Sequence, residues 1–263
     1  MTPPGRQVRG IPLRALAPNA ITALALCFGL TGVRYGIGGD WGRALGCIIV
    51  AGVLDGMDGR IARLLRANSK FGAELDSLSD NIAFGTAPAL ILFLWSLQSA
   101  PKFGWTVALA LAVCCALRLA RFNARIDAGP QPHKEAGYNT GVPAPVGAGL
   151  AFVPLYLWLI TGNDAFRSWV VTMPWTLFIA ALMISSVPTY TWSSIRIRRE
   201  WRLFALAGVA LFGAALLNEP WLTLLAISVI YLAMLPLSLA GYARVKRRRA
   251  AEARPAGSAA GGR

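Results

Sequence analysis

Apolar runs of about twenty residues follow one another from Pro18 to Tyr242, with short polar links between them. A run of that length crosses a bilayer as a helix, because each backbone polar group then finds its partner within its own segment. Eight runs, at 18–36, 41–65, 71–97, 103–122, 141–160, 169–192, 203–217 and 221–242, predict an all-α polytopic membrane bundle. With 56% hydrophobic and only 14% charged residues, the chain carries too little charge to clothe a soluble domain. Its mean hydropathy of +0.52 agrees. Residues 1–17 form a basic segment whose Ile11, Leu13 and Leu16 suit a membrane surface. Residues 18–242 make the membrane domain, and 243–263 a Lys/Arg then Ala/Gly-rich tail expected to be disordered. The Pro/Arg-rich start does not resemble a cleavable signal peptide.

The net charge of +14 raises nucleic acid as a partner, but the distribution of charge excludes it: the basic residues sit in links and tail, not on one soluble face. With eight spans both termini lie on one side. That side collects 22 of the 26 Lys and Arg, against Arg34, Arg43, Lys102 and Arg167 on the other. The positive-inside rule makes the richer side cytoplasmic. Cys27, Cys47, Cys114 and Cys115 fall inside apolar runs at spacings that match no metal motif, and read as small core residues. His133, the single histidine, sits in the polar loop 123–139 and is expected to have no function. Pro88, Pro143 and Pro145 are expected to kink their spans and shape a cavity.

The costly feature is acid inside the spans. The stretch from Leu54 to Gly85, LDGMDGRIARLLRANSKFGAELDSLSDNIAFG, carries Asp55 and Asp58 at i, i+3 and Asp76 and Asp80 at i, i+4. Residues at these spacings share a helix face. Two antiparallel helices joined near residues 66–70 would bring the four carboxylates into one small volume. There they repel unless cations lie between them, and oxygen-only ligands favour a hard divalent ion. The alternative is structural pairing with Arg60, Arg63 and Arg66. Gly56, Gly59, Ala62 and Gly72 thin the helices near the acids, which suits close approach by a bulky diphosphate.

The pattern Asp55-x2-Asp58-Gly59-x2-Ala62-Arg63-x8-Gly72-x3-Asp76-x3-Asp80 resembles the signature of the CDP-alcohol phosphatidyltransferase family, with its eight specified positions filled over 26 residues. The resemblance implies two ions, Mg²⁺ or Mn²⁺, held by Asp55, Asp58, Asp76 and Asp80 against the diphosphate of a CDP-linked lipid. It implies Asp80 as general base, and Gly59, Arg63 and Ser69 as contacts to that lipid. The Asn19-x2-Thr22 pair resembles a nucleotide-contacting segment of the family, and the resemblance also implies a homodimer.

Residues 75–89, LDSLSDNIAFGTAPA, with 116–125, ALRLARFNAR, and Gly141-Val142-Pro143-Ala144-Pro145, are similar to the phosphatidylserine synthase branch of that family. This implies an inner-membrane enzyme joining CDP-diacylglycerol and L-serine into phosphatidylserine and CMP. Arg118 or Arg121, with Asn123 nearby, would then meet the serine carboxylate. One rival is a family member using another alcohol such as glycerol 3-phosphate. The other is a transporter that couples an ion to its intramembrane aspartates.

Overall fold

The structure is a computed structural model that describes residues 13–65, 69–126, 138–185, 188–190 and 201–252. Helix α1 (Leu13–Ile37) leads to α2 (Trp41–Leu64), then α3 (Lys70–Asp80), a π-helical turn (Asn81–Thr86) and α4 (Ala87–Trp95). After them come α5 (Gly104–Ile126), α6 (Ala144–Ala151), α7 (Val153–Thr161), α8 (Trp169–Ile184), α9 (Arg202–Asn218) and α10 (Pro220–Glu252). The helical architecture expected from the apolar runs is present. One small addition to it is a pair of strands, β1 (Tyr138–Thr140) and β2 (Pro188–Tyr190), aligned antiparallel with Asn139 opposite Thr189. The sixth run therefore ends as a helix at Ile184 rather than at Trp192, with residues 188–190 drawn into the strand pair. At the other end, α10 continues past Tyr242 through the basic run to Glu252. His133 and residues 1–12 lie outside the described residues.

Among the described residues Leu16–Ile37, Lys70–Trp95 and Gly104–Ala124 are each long and apolar enough to cross a membrane, and α6 with α7, bent by 41°, is long and apolar enough when taken together. This is a membrane protein. The acids and arginines of α2 lower its hydropathy, but its length matches its neighbours.

Proline explains where the spans break. Pro154 has no N–H to offer the carbonyl of Leu150, and that carbonyl instead accepts from Trp175 Nε1 at 2.9 Å. The bend of the fifth run thus falls at Phe152, later than Pro143 and Pro145 suggested, with Pro145 inside the first turn of α6 where proline costs little. Pro88 acts differently. It lies just past the π-helical turn, where the ladder lengthens and Ala87 N–H reaches back to Ile82 O. That turn begins at the residue after Asp80, so it sets the angle at which Asp80 leaves its helix.

Small residues let the helices around the acids approach closely. A Cβ on Gly29 of α1 would lie 2.9 Å from Ala83 Cα, and one on Gly32 would lie 3.0 Å from the Ala44 carbonyl. A Cβ on Gly85 would lie 2.9 Å from Cys115 Cβ of α5. Around these contacts Ala51, Phe84, Ile91, Leu92, Trp95 and Leu111 are fully enclosed. The opposite rim is pinned separately: Arg167 Nε donates to Trp95 O at 3.0 Å, and its guanidinium lies 5.9 Å from the Trp41 ring and 5.7 Å from that of Trp158. Trp41 and Asp58 are separated by about 25 Å of α2 at 1.5 Å per residue, close to the hydrocarbon thickness of a bilayer.

Replacing Gly29 by Leu should therefore overpack the α1 contact with Ala83 and cost about 1–3 kcal/mol. A lower Tm of the purified protein in detergent checks this; an unchanged Tm would contradict the close approach.

Candidate active site

The C-terminal half of α2 and the whole of α3 supply the acids, both helices packing against α1. Asp55 and Asp58 project from one helix and Asp76 and Asp80 from the other. Ser69 starts α3, its Oγ accepting from Gly72 N–H at 3.0 Å, so the second pair of acids hangs from a capped helix. Carboxylate oxygens of Asp55, Asp76 and Asp80 lie within 4.8 Å of one another, and all three residues are half-buried. Asp55 and Asp80 are within hydrogen-bonding reach of each other.

The fourth acid is placed differently from the expected single cluster. Asp58 is buried and turned toward α1, where Thr22 Oγ1 lies 2.6 Å from its Oδ2. It stays within electrostatic reach of Asp55 and Asp76. Asp58 and Asp76 both line an open cleft, together with Pro18, Asn19, Thr22, Gly59, Ala62, Ser69, Gly72 and Ala73. The cleft has a volume of about 220 Å³. One water occupies roughly 30 Å³ in the liquid, so there is room for a ligand group and not merely an ion.

The donor set fits hard divalent cations. Among the described residues no Lys or Arg forms an ion pair with any of the four acids. Arg60 and Arg63 are exposed, and Arg63 Nε donates to the Gly59 carbonyl of its own helix at 3.1 Å. Arg66 lies outside the described residues. Pairing with Arg60 or Arg63 is thus not what balances the acids. Three carboxylate oxygens within 4.8 Å of one another could share one hard divalent ion, which takes oxygen ligands at about 2.1 Å when it is Mg²⁺. Small rotations of Asp55, Asp76 and Asp80 would close that set.

The other sequence candidates divide. Asn19, Thr22, Gly59 and Ser69 all line the cleft, whereas Arg63 does not. A Cβ on Gly72 would stand 2.9 Å from Asn19 Oδ1, so this glycine makes room for the amide. A Cβ on Gly59 would meet open space, as the wall of a cleft requires. Gly56 also faces open space but lies off the cleft, so its smallness serves no contact here.

On α5, Arg121 Nη1 donates to Ile184 O at 2.9 Å, closing the end of α8. Arg118 is half-buried near Asp80 and near Tyr231 of α10. Its Nε is buried with no hydrogen-bond partner among the described residues. Asn123 Nδ2 donates to Ser77 Oγ at 2.8 Å and so touches α3 beside Asp76. Sequence reasoning missed Asn81, whose buried Oδ1 also has no partner among the described residues and lies 3.2 Å from where a Gly85 Cβ would be. An amide inside an apolar run, next to an acid, was the available signal. It also missed Ser79, a buried hydroxyl one residue before Asp80 that bonds the Thr22 carbonyl of α1, and Tyr231 of α10, which lies near Arg118 and which distance along the chain concealed.

Residues 15–187 match the family model described as CDP-alcohol phosphatidyltransferase, covering the hairpin, the cleft and α5. The chain belongs to the CDP-alcohol phosphatidyltransferase family. A second model, CDP-alcohol phosphatidyltransferase 2, matches residues 200–236 in α9 and α10. Among curated relatives of this CDP-alcohol phosphatidyltransferase, the CDP-diacylglycerol–serine O-phosphatidyltransferase of Mycobacterium leprae is 36% identical over 91% of the chain and 79% of its own length. That of Mycobacterium tuberculosis is 37% identical over 90% and 82%. The Helicobacter pylori enzyme of the same name is 40% identical over 41% of the chain and 46% of its own length.

Asp76 faces both the three-acid cluster and the cleft, so Asp76→Asn should weaken Mn²⁺ binding more than Asp58→Asn, by about tenfold or 1.4 kcal/mol. Titration of the detergent-solubilised protein followed by Mn²⁺ electron paramagnetic resonance measures both. Equal effects would contradict the shared position.

Proposed function

We propose that this protein transfers the phosphatidyl group of CDP-diacylglycerol to the hydroxyl of L-serine, giving phosphatidylserine and CMP. The observation that carries the reading is the convergence of Asp55, Asp76 and Asp80 beside a cleft lined by Asn19, Thr22, Asp58 and Gly59. The names of the relatives that match most of the chain support serine as the acceptor.

In this reading Asp55, Asp58, Asp76 and Asp80 hold two Mg²⁺ or Mn²⁺ ions. Bound there, such ions supply charge neutralisation for the diphosphate and for the departing CMP. Asn19, Thr22, Gly59 and Ser69 border the CDP moiety in the cleft. Arg63, at the exposed rim, meets lipid phosphate from outside it. Asp80 accepts the serine hydroxyl proton as the oxygen attacks the phosphatidyl phosphorus, and the bond from that phosphorus to the CMP oxygen breaks. The proton bound by Asp80 then leaves to solvent, and the acid is restored.

Arg118 is the better partner for the serine carboxylate. Arg121 is committed to the end of α8, while the buried Nε of Arg118 lacks a partner among the described residues and lies near Asp80. Asn123, fixed against Ser77, borders the same region. The membrane domain, 18–242, spans an inner membrane eight times with both termini and the acids on the cytoplasmic side. The excess of Lys and Arg on that side supports the orientation. The basic segment 1–17 and tail 243–263 flank it, and the protein acts as a homodimer, in keeping with the family resemblance.

Metal-dependent CMP release from CDP-diacylglycerol, with a panel of acceptors, tests the reading. Turnover with L-serine and not with glycerol 3-phosphate is expected; ion flux in liposomes without CMP release would overturn it. Asp80→Asn should lose at least 10³-fold in kcat while still binding CDP-diacylglycerol, in the upper part of the range for a lost general base; wild-type turnover would remove Asp80 as the base. Arg118→Gln should raise the serine KM at least tenfold with little change in that for CDP-diacylglycerol, about 1.4 kcal/mol of selective loss. Arg121→Gln should move neither, and a reversed pattern would transfer the role to Arg121.

A further inference from the structure

Among the described residues, Asp58 alone of the four acids is held by a hydroxyl. Thr22 Oγ1 lies 2.6 Å from Asp58 Oδ2 and 3.0 Å from Pro18 O. A hydroxyl has one proton, and the shorter distance to a charged acceptor assigns it to the carboxylate. Behind Thr22, Ser79 Oγ donates to the Thr22 carbonyl at 3.1 Å. The three residues are 4%, 3% and 3% exposed. They come from α1, α2 and α3: Ser79 holds the Thr22 backbone and Thr22 Oγ1 holds Asp58, so two hydrogen bonds tie three helices at the acid that stands apart from the other three.

We propose that Thr22 is a positioning residue for Asp58. Its hydroxyl turns the Asp58 carboxylate into the cleft that Asp76 also lines and holds it off the Asp55 and Asp80 cluster, while Ser79 fixes the Thr22 backbone from which that hydroxyl projects. This rests on the metal-dependent reading above, but it changes the part played by Thr22. The family resemblance makes Thr22 a nucleotide contact. Here its one proton is already committed to Asp58, and its effect on the nucleotide passes through the ion that Asp58 helps to hold. Packing alone does not require the hydroxyl, since valine has the same shape as threonine and would fill the same space against α2. A buried carboxylate, by contrast, loses a charge-assisted hydrogen bond without it.

The full chain in detergent tests this with Mn²⁺ alone, followed by electron paramagnetic resonance, alongside steady-state kinetics. Thr22→Val should weaken Mn²⁺ binding at least tenfold and raise the Mn²⁺ needed for half-maximal turnover by a similar factor. The serine KM should stay within twofold. Thr22→Ser, which keeps the hydroxyl, should stay within threefold of the parent in both metal measurements, and a purely steric role predicts no such rescue. Ser79→Ala should shift Mn²⁺ affinity in the same direction by a few-fold. Mn²⁺ affinity unchanged in Thr22→Val, with only the KM for CDP-diacylglycerol raised, would overturn the proposal and return Thr22 to the nucleotide. Should Thr22→Val not fold, Ser79→Ala decides: a few-fold loss of Mn²⁺ affinity supports the proposal and an unchanged value overturns it. No Mn²⁺ binding by the parent protein would instead overturn the two-ion reading, and this proposal with it.

Discussion

Carboxylates repel one another, and they do so most strongly where water is scarce. Two helices nevertheless bring Asp55, Asp76 and Asp80 within 4.8 Å of one another, with Asp58 buried beside them. No lysine or arginine among the described residues is paired against them. A membrane-embedded acid is expensive wherever it lies, and several together are tolerable only around cations. The surrounding fold makes sense as a frame that resists this repulsion. Gly29 against Ala83 and Gly85 against Cys115 draw the helices closer than ordinary side chains permit. Thr22 and Ser79 tie three helices across the gap with buried hydrogen bonds. At the far rim Arg167, between Trp41 and Trp158, secures the ends that carry no chemistry.

The breaks in the helices serve the same end. Proline removes a backbone donor, and in a bilayer the freed carbonyl must find another. Trp175 supplies one at Leu150 and so fixes the bend between α6 and α7. Near Pro88 the helix lengthens into a π turn directly after Asp80. Within that turn Gly85 is bordered both by the Asn81 side chain and by Cys115 on α5, the helix that also carries Arg118.

The hairpin was legible because its determinants are local. Helical periodicity fixes which acids share a face, and the spacing of glycine and alanine around them is written in one short stretch. Asn19, Thr22, Gly59 and Ser69 were implied by the family resemblance and all reach the cleft, whereas Arg63, implied in the same way, does not. What escaped depends on contacts between distant segments. Nothing near Asp58 in the chain says that Thr22 takes one of its oxygens and separates it from the other three acids. Which of the two arginines on α5 is already bonded depended on Ile184, whose carbonyl accepts from Arg121 Nη1. The fifth run looked bent at its opening prolines, but Pro145 sits in a first turn that tolerates it, and Pro154 is the one that breaks the ladder. The strand pair joining 138–140 to 188–190 follows from pairing between two links far apart in sequence, which periodicity within either cannot reveal.

Anomalous diffraction from crystals grown with Mn²⁺ and CDP-diacylglycerol addresses the central claim most directly. The expected result is one peak bounded by Asp55, Asp76 and Asp80, and a second between Asp58 and Asp76 in the cleft, with the diphosphate across them. Acids bare of metal, or neutralised by arginine side chains with the nucleotide elsewhere, would contradict it.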